Sequence, residues 1–281
     1  MDYRGCRAHA AVLGGRGTLA CLDIDSGSRH LVRSDTAVDD DHTYSRGEDM
    51  VTAEQKRVID SVLSLFETGQ LPSVGAYSTC NILSDGAGIS YGKHQSTDRS
   101  GSLDKIVDLY VQRGGVHANA LKLFQDRLAK NETATVSPKN PPAWVLALMN
   151  NLRTAGKDPV MQAVQDEVFD AGYWMPALGH ATQCGLVHAL SALVVYDTCI
   201  QSGPGGVAVI RNMFAELPPS KGGEEKKWTT AYVDARKRWL LSNKNPLVQR
   251  SAYRPESLRA LIDGGHWELA LPLTVRGKQI V

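Results

Sequence analysis

The sequence predicts an α+β fold in which helix dominates. Three observations carry that reading. A helix-period apolar pattern opens at Thr52, two short β-prone runs flank the glycine-rich SDGAG of residues 84–88, and a succession of helical segments then runs to residue 263. Long helices with one small sheet beside the first of them make a mainly helical α+β class.

Residues 1–33 read as a β-meander module, because apolar stretches alternate with GGRG and DSGS, where glycine permits the positive φ of tight turns. Residues 34–50 are acidic and poor in large apolar side chains, so they read as a linker. Residues 51–281 then form the main domain. Its first helix begins at Thr52 with Gln55 three residues on, a capping-box pattern. Val58, Val62, Leu65 and Phe66 repeat at helical spacing, and Gly69 suits the C-terminal cap. Glu67 falls in the last turn, where the helix dipole disfavours a negative charge and eases protonation. Asp85 falls in the turn between the two β-prone runs. Helices follow at about 102–113, 116–130, 141–154, 158–171, 178–201, 205–215, 223–242 and 255–263. The 178–201 stretch is apolar nearly all round, which predicts one central buried helix.

Composition narrows the function. Of 281 residues, 31 are Lys or Arg and 30 are Asp or Glu, a net charge of +1. Without a basic excess to release counterions, nucleic-acid binding is not expected. Cys6, Cys21, Cys80, Cys184 and Cys199 show no CxxC or zinc spacing and read as free thiols, although Cys6 and Cys21 could pair across a hairpin. No signal-peptide pattern and no membrane-length apolar run is present, so the expected course is synthesis in the cytoplasm without a signal peptide. Work outside would then need export by other machinery.

Cleavage of a glycosidic bond commonly uses two carboxyl groups, one protonating the leaving oxygen while the other activates water or attacks the sugar. The two need different environments so that their pKa values part. Glu67 on a helix end and Asp85 on a sheet turn supply that difference.

A helix ending in Phe-Glu at Glu67 is followed by DGAGISYG at Asp85, 18 residues on (85 − 67 = 18). With that as its first motif, the chain from about residue 51 to 281 resembles the glycoside hydrolase family 46 chitosanases. The block at 158–203, the segment AYVDARKRW and the segment YRPESLRALIDGGHWELALPLTVRG resemble the family's later parts, in the same order. The resemblance implies a lysozyme-like, two-lobed helical fold and an inverting mechanism with no metal or cofactor. It makes Glu67 the general acid, Asp85 the general base, and Ser90 the hydroxyl that helps hold the attacking water. Asp197, Arg236 and Arg254 match an ion-pair network behind them, with Arg250 as the alternative to Arg254 across a small gap. Neighbouring guanidinium groups would keep Asp85 ionised. Inversion predicts carboxyl groups roughly 6.5–9.5 Å apart.

Departures from the family bear on substrate. Ala87 stands where the family has arginine, and Ser102 where an aspartate meets the glucosamine amine. Chitosan is a polycation, so losing a carboxylate argues against it. ISYGKHQSTDRSGSL also resembles a branch of peptidoglycan-cleaving, lysozyme-like effector domains of bacterial secretion systems. That likeness implies a cleft lined by Lys93, His94 and Gln95, facing bacterial peptidoglycan in the periplasm or cell wall. Asp98 could replace the missing carboxylate and restore chitosan binding, and Tyr77 and Tyr91 flank Asp85 as further cleft residues. The expected partner is a glycan polymer, with a delivery or immunity protein possible. The alternatives are a chitosanase and an inactive glycan-binding module.

The remaining signals read as structure. His180 and His188, eight apart, share a face of the central helix as packed histidines with no third ligand. Most of Trp144, Trp174, Trp228, Trp239 and Trp267 belong to the core. EEKKW is a solvated helix face, and GGRG lacks the context of a phosphate loop.

Overall fold

The structure, a computed structural model, describes residues 50–281; the expected meander of residues 1–33 and all but the last residue of the linker lie outside the described residues, as do Cys6 and Cys21. The first helix, α1 (Ala53–Thr68), begins in the expected capping box. Thr52 Oγ1 accepts from the Gln55 amide at 3.1 Å, and Gln55 Oε1 accepts from the Thr52 amide at 2.9 Å. Val58, Ile59, Val62, Leu63, Leu65 and Phe66 are its buried face, and Gly69 caps it at φ 71°. A 3₁₀ turn (Val74–Ser78) then leads into β1 (Cys80–Ile82), β2 (Ile89–Tyr91) and β3 (Ser96–Thr97). They form one antiparallel sheet in that order, with Cys80 opposite Tyr91 and Ser90 opposite Thr97.

The helices after the sheet are α2 (Ser102–Gln112), α3 (Ala118–Lys122), α4 (Gln125–Ala129), α5 (Ala143–Ala155), α6 (Pro159–Phe169) and α7 (Met175–Cys184). Then come α8 (Ala189–Ser202), α9 (Gly205–Arg211), α10 (Glu225–Leu241), α11 (Pro246–Gln249) and α12 (Tyr253–Asp263), and the chain closes with a hairpin, β4 (Leu273–Val275) and β5 (Lys278–Ile280).

Three helix expectations are corrected. The segment 116–130 is two short helices, α3 and α4. The segment 158–171 does not stop: a π turn (Asp170–Trp174) carries α6 straight into α7. The expected single helix 178–201 is broken at Gly185, which ends α7 in the left-handed region at φ 72°. A continuous apolar run hides that break, because hydrophobicity reads across a glycine that caps. The buried central helix is α8, buried at every position from Ala189 to Cys199. The sequence reading also stopped short of β4–β5 and did not separate β3.

Two hydrophobic cores result. One joins α1, α7, α8, α9, α10, α12 and the β4–β5 hairpin. The other joins the three-stranded sheet with α2 to α6. The run α6–π–α7 crosses both, giving Met161 and Val164 to one core and Trp174, Ala177 and Ala181 to the other. All five tryptophans lie in or against these cores, as expected.

Glycine lets the sheet turn approach its neighbours. A Cβ on Gly88, at φ 75°, would stand 2.5 Å from Thr133 Oγ1 and 2.8 Å from the Ala134 backbone nitrogen. Gly88→Ala is therefore expected to destabilise the fold by about 1–3 kcal/mol, read as a lower urea midpoint; an unchanged midpoint would refute the close approach.

Candidate active site

Glu67 sits one residue before the end of α1, on the lobe that holds the N- and C-terminal elements. Its carboxylate accepts from Arg254 Nη1 at 2.6 Å. Arg254 is the second residue of α12 and is nearly buried, whereas the Glu67 side chain is about half exposed. The other donors of Arg254 turn inward: Nε reaches Asp197 Oδ1 at 2.9 Å and Nη2 reaches it at 2.5 Å. Asp197, from α8, has no exposed surface, and its Oδ2 accepts from Arg236 Nη1 of α10 at 2.5 Å. Arg236 also donates to Gln201 Oε1 at 2.5 Å. The chain Arg236–Asp197–Arg254–Glu67 thus alternates in sign from core to surface. Burial alone would raise the Asp197 carboxyl; the two guanidinium groups outweigh it and hold it below the usual carboxylate range. Arg250 lies in a 3₁₀ turn before α12, so Arg254 is the arginine of this network.

Asp85 comes from the other lobe, in the exposed loop joining β1 to β2. Leu83 N donates to Gly88 O at 3.0 Å to close the loop, and Asp85 Oδ1 accepts from the Ala87 amide at 3.0 Å. That Asx-type turn orients the carboxylate. Arg99 reaches the same loop, with Nη1 donating to Gly86 O at 3.4 Å. On β2, Ser90 has no exposed surface and donates to Gln95 Oε1 at 2.9 Å. Its hydroxyl orients Gln95, which itself stands at φ 54° and donates to Gly92 O at 2.7 Å.

Lys93 and His94 of the same turn, and Tyr77 of the 3₁₀ turn before β1, converge on Asp166 of α6. Tyr77 OH donates to Oδ2 at 2.6 Å, and Lys93 Nζ and His94 Nε2 lie 3.0 and 2.9 Å from Oδ1. The neighbouring Gln165 is buried and bridges the Lys93 amide (3.1 Å) and the Tyr77 carbonyl (3.0 Å). A Cβ on Gly92 would overlap its amide group, at 2.0 Å. His94 stacks on Phe169 at 3.7 Å between centroids. Burial lowers the His94 pKa, while the Asp166 carboxylate against Nε2 opposes that shift. Burial raises the Asp166 carboxyl, but bonds from His94, Tyr77 and Lys93 reverse this and hold it well below the usual range.

Other expected positions fall elsewhere. Tyr91 is fully buried and donates to Leu152 O at 2.7 Å, which makes it a core residue rather than a cleft one. Tyr77 sits in the 3₁₀ turn, not on the sheet beside Asp85. Asp98 is fully buried, its Oδ2 taken by the Thr133 hydroxyl and amide at 2.6 and 2.9 Å, so it cannot meet a substrate amine in place of Ser102. Ser102 lies at the start of α2 and accepts from the Thr97 amide at 3.1 Å. His180 is on α7 while His188 caps α8 and meets Glu268 at 2.5 Å, so they share no helix face. Among the described residues no group of three or more His, Cys, Asp or Glu could hold a metal ion.

The family model for glycosyl hydrolase family 46 matches residues 61–273. The chain belongs to glycosyl hydrolase family 46. A chitosanase of Bacillus subtilis (strain 168) is 30% identical over 242 residues, covering 80% of this chain and 83% of that protein. Among solved structures, a mutant chitosanase from Bacillus subtilis MY002 complexed with six GlcN superposes with a TM-score of 0.65 at 28% identity, covering 80% of this chain and 95% of that one. The GH46 chitosanase of Gynuella sunshinyii in complex with chitotetraose gives a TM-score of 0.64 at 26% identity, over 82% and 98% of the two chains. The protein is thus a glycoside hydrolase with the family 46 fold.

For this family 46 hydrolase, sequence reasoning missed a further ion-pair cluster, in which Lys56 bridges Asp60 (2.9 Å) and Asp170 (3.2 Å). The i,i+4 spacing of Lys56 and Asp60 was a readable signal; Asp170 was not, because it lies 114 residues away. The Asp166 cluster makes acid stability testable. The folded carboxyl titrates below its ordinary value of about 3.9, so its contribution is complete above that pH and lost as pH falls further. Unfolding free energy of Asp166→Asn is expected to depend less steeply on pH between about 5 and 3 than that of the parent; equal slopes would rule the contribution out.

Proposed function

We propose that this hydrolase cuts a β-1,4-linked amino-sugar polymer by inversion, with Glu67 as acid and Asp85 as base. Glu67 gives its proton to the glycosidic oxygen as the bond to the anomeric carbon breaks. Asp85 takes a proton from the water that attacks that carbon from the opposite face, so configuration inverts. The observation that carries the reading is the pinning of Glu67 by Arg254 at 2.6 Å, on the lobe opposite the Asp85 loop. Asp197 takes two of the Arg254 donors, so the guanidinium serves Glu67 through one nitrogen only.

For the substrate we favour bacterial peptidoglycan. Support comes from charge: Ser102 stands where the family resemblance implies an amine-facing aspartate, Asp98 is buried, and Asp166 is matched by the Lys93 ammonium. A strand of ammonium groups meets little uncompensated carboxylate there, whereas N-acetyl and lactyl groups can use Lys93 and Gln95 as donors. Export by separate machinery belongs to the same proposal. Chitosan is the second reading, favoured by the relatives that are chitosanases.

Glu67→Gln is expected to lower reducing-end release by at least about 10³-fold without moving the melting temperature. An active Gln variant would remove the acid from this role. With both polymers assayed side by side, turnover of chitosan alone would reverse the substrate choice.

A further inference from the structure

The last turn of a helix leaves carbonyl groups without partners, and it is the turn most prone to fray. In α1 that turn carries Glu67, and two side chains from distant sequence close it. Tyr253 OH donates to Phe66 O, and Arg276 Nη1 donates to Leu65 O at 3.3 Å, beside the Gly69 amide at 3.1 Å. The Arg276 guanidinium lies over the Tyr253 ring at 4.0 Å, and that ring meets Phe66 edge-on at 6.2 Å. Tyr253 and Arg254 are consecutive, and they grip the consecutive Phe66 and Glu67, one by main chain and one by side chain.

Arg276 is also conformationally costly. It is the first residue of the two-residue loop Arg276–Gly277, where Val275 pairs with Lys278, and it stands at φ 50°. Asparagine or glycine makes such a turn with less strain, and a side chain kept in the left-handed region signals a local task. Its cation lies at the negative end of α1, where the dipole favours it.

We propose that Tyr253 and Arg276 are positioning residues that set the Glu67 carboxyl by locking the final turn of α1. The inference rests on Glu67 being the acid. It adds a main-chain clamp to the side-chain network of Arg254, and it gives the C-terminal hairpin a part in catalysis.

The test uses the full chain with Tyr253→Phe, Arg276→Ala and Arg276→Lys, assayed on purified peptidoglycan and on chitosan, with thermal unfolding in parallel. Displacement of a catalytic group by about 1 Å can cost up to about 10²-fold. We therefore expect Tyr253→Phe and Arg276→Ala each to lower kcat by about tenfold with KM within about twofold. Arg276→Lys keeps the charge but not the planar stack, and recovers part of the loss. The double variant loses less than the product of the single losses, because each residue orients the other. Parental kcat in both single variants, or a rise in KM with kcat unchanged, overturns the proposal. Glu67→Gln run alongside separates the cases. If it stays active, the acid assignment fails and this inference with it; if it is inactive while the positioning variants keep parental kcat, the clamp alone is refuted.

Discussion

The buried carboxylate of Asp197 is the constraint on which the site depends. It has no exposed surface and two arginines converge on it. A charge in that position is tolerable only while paired; removing one partner of such a buried pair typically costs about 3–5 kcal/mol. The pairing draws α8, α10 and α12 together, because Asp197, Arg236 and Arg254 each come from a different one. Only at its outer end does the chain of charges meet solvent, at Glu67. A group whose chemistry needs one reproducible orientation is thereby tied to elements that cannot move independently.

The opposite lobe is ordered by other means. Its small sheet is held by close main-chain approach and by neutral or compensated polar groups. Gly88 and Gly92 let the turn press against Thr133 and Gln165, where any side chain would collide. Gln165 then satisfies two backbone groups at once, and Asp166 beside it gathers a phenol, an ammonium and an imidazole. Asp85 projects from this packed base on an exposed loop shaped by its own bond to Ala87. Glu67 thus meets an arginine at the end of a helix, and Asp85 accepts from an amide of its own loop.

Local signals in the sequence were legible. The capping box at Thr52, the glycine cap at 69 and the Asp-Gly turn follow from residue types acting over a few positions. The 18-residue offset and the order of later blocks led to the fold and to the Asp197 network. What stayed hidden depends on partners far apart in sequence. Nothing near Asp98 announces that Thr133 will take its carboxylate, nor near Tyr91 that Leu152 will take its hydroxyl. Ser90 illustrates the same limit: strand alternation cannot say which face a two-sided sheet will bury. The break at Gly185 was missed because composition outweighed a single residue.

The two cores differ in how the chain supplies them. One is drawn from the contiguous stretch Cys80 to Val164, while the other joins Val51–Phe66 to residues from Trp174 to Ile280. The contiguous lobe needs only short loop closures, so it can collapse during synthesis as soon as its own residues emerge. The other must wait for the final hairpin before α1 finds its partners. The lobe that carries Glu67 therefore depends on the longer-range closures.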